Sequence, residues 1–271
     1  SRLSRGLGDV YKRQLLFISI SSQENIKYQK PSKEILDLVE FERPPSILYD
    51  ENKNFMLFLF RDNYKSIAEL SAKELRLGGL RIDPKTNIGS RVTYYNNVKI
   101  RNLKNQKSEI TQVKGLPKNP KLSNISWSPD QKRIALTNTT ETGVELWVLE
   151  LENGSVMKLT ESNLNSNIGS VINWFSDSEN MLVKMISNNR RPLIDTNKIV
   201  PDGPTISTNF GEKAQNRTYQ DLLKNKFDEH NFEQLSTSTI YKVSIDGSVK
   251  KWMDDGMYRT CLLYTSDAAD D

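Results

Sequence analysis

Asn124-Ile125-Ser126-Trp127-Ser128-Pro129-Asp130-Gln131-Lys132-Arg133-Ile134-Ala135-Leu136 reads as strand, tight turn, strand. Ile125 and Trp127 before the turn, and Ile134 and Leu136 after it, keep the two-residue period of a half-buried strand. Ser128-Pro129-Asp130 supplies the turn: proline fixes φ, and the aspartate side chain can bond the backbone just ahead. Val144 to Leu151 continues as a third strand, Glu152-Asn153-Gly154-Ser155 as a hairpin turn, and Val156 to Thr160 as a fourth. Four antiparallel strands in about 40 residues have the size of one propeller blade.

The unit repeats. Val171 to Val183 matches the Trp127 segment position for position, with Trp127 and Trp174 standing 47 residues apart. Ile240 to Trp252 repeats the pattern of Leu146 to Leu159, and Pro45 to Phe60 is a fainter first copy with Asp50 in its turn. The expected fold class is therefore all-β, a partial β-propeller with short helical insertions. About three blades of four-stranded antiparallel sheet, near 45–116, 122–160 and 169–252, would fill a propeller region 45–260. Three blades cannot close a ring, so this stretch by itself is expected to expose strand edges. The third copy carries a long insertion near 188–238, a length usually reserved for functional or disordered loops. Inside it Thr218, with Asp221 three residues on, has capping-box spacing and predicts a helix start. Upstream, residues 23–44 form an extension in which Ser32 caps a short helix with Ile35, Leu36 and Val39 on one face. A second helix is predicted from Ser66 to Arg76, stopped by Gly78-Gly79. An irregular loop through Asp83-Pro84-Lys85-Thr86-Asn87 is expected to follow.

The two ends read differently. Asp9-Val-Tyr-Lys-Arg-Gln14 and Cys261-Leu-Leu-Tyr-Thr-Ser266 are what the two strands of one transposon sequencing end encode. Residues 1–14 and 261–271 are accordingly expected to be adapter-derived and are set aside from fold reasoning. Their removal takes away Arg2, Arg5, Lys12 and Arg13 together with Asp9, Asp267, Asp270 and Asp271, so the net charge of +4 stands. The 38 basic and 34 acidic residues alternate and build no basic block, which argues against a nucleic-acid partner. Cys261 is the one cysteine, so the remaining chain offers no disulfide, thiolate nucleophile or cysteine-based metal site, and no cofactor is expected. His230 is the one histidine and reads as a surface residue. No apolar run reaches the roughly 18 residues of a membrane span. Leu15 to Ser22, apolar and ending in small residues, reads as the remnant of a signal peptide. In a cysteine-free chain it points to export, to a bacterial periplasm above all. Trp127 and Trp174 read as blade-packing residues, and the carboxylate pairs Asp228-Glu229 and Asp254-Asp255 as solvated turns.

The Trp-Ser-Pro-Asp turn resembles the blade motif of TolB-like and prolyl oligopeptidase propellers. Longer strings narrow the resemblance: Tyr28-Gln29-Lys30-Pro31, Gly79-Leu80-Arg81-Ile82-Asp83-Pro84 with Ser90-Arg91, Gly143-Val144-Glu145-Leu146-Trp147, and Arg217-Thr218-Tyr219-Gln220-Asp221-Leu222-Leu223. They are similar to the glutamyl-endopeptidase-like branch of the prolyl oligopeptidase family of serine peptidases. That resemblance implies a signal or transit peptide, a propeller, and a C-terminal α/β-hydrolase domain with a Ser-Asp-His triad and a Gly-x-Ser-x-Gly elbow. The sequence holds no such elbow, so no residue is assigned a catalytic role, and a hydrolase domain beyond Thr260 is the implied partner. The resemblance implies a non-catalytic, substrate-gating portion of a peptidase acting on peptides, with a preference for acidic residues. An acidic preference calls for arginine, whose planar fork binds carboxylate through two hydrogen bonds. Arg81 and Arg91 are the candidates, against the plainer reading of solvated surface arginines. The rival class is a stand-alone TolB-like propeller acting as a protein-binding scaffold.

Overall fold

The computed structural model describes residues 29–105, 107–195, 198, 200, 203, 211 and 220–259. The ends expected to be adapter-derived, the expected leader remnant Leu15–Ser22 and the helix start expected at Thr218 lie outside the described residues. The chain divides into two compact units, Ser1–Glu42 and Arg43–Asp271. In the first, α1 (Lys33–Val39) forms where expected, with Ser32 at its N-cap. The Ser32 side chain makes no capping bond to the backbone, and Ile35 and Val39 are exposed.

The second unit carries three four-stranded antiparallel sheets, each a blade. Blade 1 consists of β1 (Ser46–Tyr49), β2 (Phe55–Phe60), β6 (Asn97–Asn102) and β7 (Thr111–Gln112), in that order. Blade 2 consists of β8 (Leu122–Trp127), β9 (Arg133–Thr139), β10 (Val144–Glu150) and β11 (Ser155–Lys158). Blade 3 runs β12 (Ile172–Trp174), β13 (Asn180–Ile186), β14 (Ser238–Ser244) and β15 (Val249–Gly256). The fold is thus the all-β, partial propeller that the repeat predicts.

Register shows how close the copies are. Tyr49 faces Met56, Trp127 faces Ile134 and Trp174 faces Met181 across the first two strands of the three blades. Between them lies one turn geometry. The amides of Asp50, Ser128 and Phe175 donate to the carbonyls of Phe55, Arg133 and Asn180 at 3.4, 2.9 and 2.9 Å. Three residues into each turn, Lys53, Gln131 and Ser178 adopt φ of 53°, 58° and 58°. Asp50 therefore stands at the position of Ser128, not of Asp130. Its carboxylate takes the role of the Ser128 hydroxyl, accepting the amide that restarts the strand: Phe55 at 2.6 Å, Arg133 at 2.9 Å. A left-handed non-glycine residue costs about 1 kcal/mol or more, and two of the three recover it between blades. The Gln131 side chain accepts from the Glu51 amide at 3.3 Å, and the Ser178 hydroxyl from the Asp130 amide at 2.9 Å.

Strand alternation then builds the core. Val144, Leu146 and Val148 on β10 join one cluster with Met181, Val183 and Met185 of β13, between blades 2 and 3. Leu149 and Leu151, on the opposite face, join Ile134, Leu136, Leu57 and Leu59 between blades 1 and 2. Each such side chain, taken fully out of water, stabilises the fold by about 1.5–3 kcal/mol relative to exposure. Trp174 lies in the first cluster and donates its Nε1 to the Ser126 carbonyl at 3.2 Å, while Trp127 packs against the second. Both tryptophans are blade-packing residues.

Both long connections join the second and third strands of a blade. In blade 1 it holds α2 (Ile67–Leu70) and a small antiparallel sheet of β3 (Leu75–Leu77), β4 (Leu80–Asp83) and β5 (Ile88–Gly89). In blade 3 it ends in α3 (Lys226–Ser236). Here the structure corrects the sequence reading. The helix predicted over Ser66–Arg76 stops after Leu70, and Gly78-Gly79, at φ of 57° and 82°, makes the two-residue hairpin turn between β3 and β4. Arg81 consequently sits in a strand and not in an irregular loop. In the second insertion Asp221 is non-helical at φ 59°, and α3 begins at Lys226, capped by Asn225 through the amides of Phe227 and Asp228.

Candidate functional site

The two insertions meet. Leu77 and Ile82 of the small sheet share a cluster with Leu235 of α3, joined by Leu193, Leu223 and Phe232. A Cβ placed on Gly78 would lie 2.9 Å from the Phe232 ring, so the hairpin glycine serves close approach as well as turn geometry. The Gly79 amide donates to the Asp221 carbonyl at 3.3 Å.

Beside this apolar patch lies a knot of asparagines. The last carbonyls of a helix have no partner within it, and the Leu235 carbonyl of α3 is supplied from outside. Asn167 and Asn165 donate to it at 2.7 and 2.9 Å, and Asn87 at 3.4 Å. Asn165 also donates to the Thr237 carbonyl at 3.0 Å and accepts from the Asn87 amide group at 2.7 Å. Asn87 and Asn165 are each 1% exposed, and Asn87 holds φ 59° at the end of the Asp83 turn. Three segments far apart in sequence, one of them the linker between blades 2 and 3, are thereby tied at one point.

Next to the small sheet a cleft of about 770 Å³ opens, bounded by α2, by β4 and the loop after it, and by the turn after β9. Arg81, Lys85, Arg91, Tyr94 and Lys121 line it, so both arginines singled out from the sequence reach one cavity. Their surroundings differ. Arg81 pairs with Glu74 at 3.3 Å and Asp221 at 3.6 Å, its side chain 19% exposed. Glu74 also accepts from Arg76 at 2.9 Å and from the Ser90 hydroxyl. The Ser90 hydroxyl and the two guanidinium groups outweigh desolvation and hold the Glu74 carboxyl below its usual range. Arg91 is exposed and, among the described residues, has no ion pair; neither has Lys85. Lys121 pairs with Glu69 at 3.4 Å and lies 5.7 Å from the centre of the Tyr94 ring. Burial pushes the Tyr94 phenol above its ordinary value, so it stays protonated and able to donate.

The other candidates fall where structure, not chemistry, uses them. His230 on α3 bonds the Pro192 carbonyl at 3.1 Å. Asp228 and Glu229 stand in the first turn of α3, where the helix dipole favours negative charge. Asp254 and Asp255 lie in β15 and not in a turn; Asp254 pairs with Lys251 at 2.6 Å, and Asp255 accepts from Ser187 and Asn189 at 2.6 and 2.9 Å. Among the described residues no group of His, Cys, Asp and Glu could hold a metal ion, and no helix is long and apolar enough to cross a membrane. Sequence reasoning missed Asn87, Asn165 and Arg190. The turn signal at Asp83–Asn87 was visible, but nothing in it announced a partner 78 residues away.

Three meander sheets in succession define the second unit as a portion of a β-propeller. No protein-family model matches the chain. Over 240 residues it is 31% identical to a probable chloroplastic glutamyl endopeptidase of Arabidopsis thaliana, which covers 83% of this chain and 24% of that protein. A protein of the same name from Oryza sativa subsp. japonica is 29% identical over 235 residues, 82% of this chain and 25% of its own length. The propeller portion is related to part of a peptidase family. The chain spans about a quarter of the length of the curated relatives it matches. Among solved structures, an acylaminoacyl peptidase of Pyrococcus horikoshii is 16% identical over 79% of this chain and 26% of its own, with a TM-score of 0.35. The blade assignment rests on strand order and not on that likeness.

Proposed function

We propose that this chain is the non-catalytic, substrate-gating propeller portion of an exported, periplasmic serine peptidase that cleaves peptides next to acidic residues. Hydrolysis belongs to an α/β-hydrolase domain outside this sequence, which has no Gly-x-Ser-x-Gly elbow. One observation carries the acidic preference: the cleft beside the insertions is lined by six basic residues (Lys65, Arg76, Arg81, Lys85, Arg91 and Lys121) against four acidic ones (Glu69, Glu74, Asp83 and Glu141), and Arg91 and Lys85 have no ion pair among the described residues. A carboxylate entering there meets unneutralised cations, and guanidinium is the better matched of the two. Arg81, neutralised by Glu74 and Asp221, serves to fix the wall of the cleft and not to hold substrate. In the full-length protein, Arg91→Ala is expected to raise the KM for glutamyl peptides about tenfold and leave neutral peptides unchanged, the loss of one charged hydrogen-bonded contact. Equal losses on both would defeat the acidic preference. A full-length frame that ends in further blades without a hydrolase would make the protein a binding scaffold instead.

A further inference from the structure

Arg190 follows β13 at the start of the second insertion, at the edge of the asparagine knot. Its Nη1 donates to the Asn87 side-chain oxygen at 3.1 Å, a bond whose direction is set because the Asn87 amide group already donates to Asn165 and Leu235. No carboxylate lies within ion-pairing distance of it among the described residues, although its sequence neighbour Arg191 pairs with Glu233 at 3.6 Å. The guanidinium is part-buried, and burial weakens its hold on the proton. Arginine nevertheless keeps its charge at any ordinary pH, so it cannot relieve its burial by deprotonation. A buried charge without a counter-charge is costly. Asn87 neutralises nothing, and among the described residues it is the side-chain hydrogen-bond partner that the guanidinium has. Close by, Asn167 donates to the same Leu235 carbonyl while its own side-chain oxygen is buried and has no partner among the described residues. The knot thus presents a cation in need of an anion beside an acceptor in need of a donor.

We infer that Arg190 is a second carboxylate-recognising residue, aimed by Asn87, and that an acidic peptide segment is its ligand, with a peptide N–H supplied to Asn167. This rests on the peptidase reading only for the identity of the ligand as substrate; the binding itself stands apart from hydrolysis.

The test is calorimetric titration of the full-length protein with a capped glutamyl dipeptide and its glutaminyl counterpart, for wild type, Arg190→Lys and Arg190→Met. Wild type is expected to prefer the glutamyl peptide by about tenfold or more, Arg190→Lys to retain part of that preference, and Arg190→Met to lose it. Unfolding of the unliganded variants separates a ligand site from an internal ion pair. Removing an uncompensated charge leaves stability unchanged or raises it, whereas removing a paired one lowers it. Retention of the glutamyl preference in Arg190→Met, or a clear loss of unliganded stability in it, overturns the inference. Preference without any hydrolysis would sink the peptidase reading and leave Arg190 standing.

Discussion

The blade stack and the insertion junction hold together by opposite means. Between blades, apolar side chains delivered by a two-residue period meet their like from the next copy, and the same contact recurs from one interface to the next. At the junction, one carbonyl, three asparagines and two arginines make contacts that occur once. Burial of apolar area is non-directional and tolerates variation, which is why Leu59 and Thr137 can occupy equivalent places in successive blades. Buried hydrogen bonds are directional, and each partner lost leaves another unsatisfied. The stack therefore supplies stability, and the junction supplies position.

The largest expected effect probes the stack. Leu146 is fully buried between blades 2 and 3. Leu146→Ala should cost about 2–5 kcal/mol through lost burial and the cavity left behind, read by urea denaturation. A cost below about 1 kcal/mol would mean that the interface is loosely packed and the contrast with the junction overdrawn.

A second probe is the place where the stack itself turns polar. Lys184 takes the position of Leu59 and Thr137, is 4% exposed, and among the described residues bonds the backbone carbonyls of Ile168 and Tyr258 and no carboxylate. Burial lowers its pKa to about 8, against roughly 10.4 in an unfolded chain. Between these values the unfolded chain holds a proton that the folded one has shed, so wild-type stability should rise with pH from about 8 to about 10.4. Below that window the desolvation penalty applies in full, so Lys184→Met should gain stability relative to wild type at pH 7, and that relative gain should shrink as pH rises from about 8 to about 10.4. A pH-independent difference in melting between the two proteins would show that Lys184 is not buried as a cation.

The smallest effect sharpens the comparison at the junction. Asn87→Gly keeps the left-handed backbone open while removing the side chain that orients Arg190 and Asn165. It should cost about 1–3 kcal/mol, with little change at the blade interfaces. Hydrogen exchange should report faster exchange at the amides of Gly79 and Ser166, which bond across the junction to Asp221 and Asn87. Uniform acceleration through all three blades would make the knot part of the global core.

The two regions were unequally legible in the sequence. Trp127 and Trp174 at fixed offset, with Ser-Pro-Asp and its relatives between alternating strands, fixed the blades because both the period and the turn are local chemistry. The faint first copy was found as well, though only the register showed that Asp50 does the work of Ser128. The insertion misled where local signals were ambiguous. Gly78-Gly79 ends a helix as readily as it turns a hairpin, and the hairpin prevailed because Leu77 and Ile82 bury against Leu235. The helix that ends under the asparagine knot is capped by Asn225, a residue that no capping-box spacing singled out. Arg81 and Arg91 looked alike as residues in one family-like string; only folding brought Glu74 and Asp221 to the first and left the second exposed.

What the sequence determined alone was therefore the repeated blade, since strand, turn and strand interact within a few residues and need no distant partner to be recognised. The tertiary structure decided the rest: which arginine is neutralised, which asparagine is buried, and where the two insertions meet. Those outcomes depend on groups as far apart as Asn87 and Leu235, 148 residues in sequence, and contacts at such separation leave no trace in local propensity.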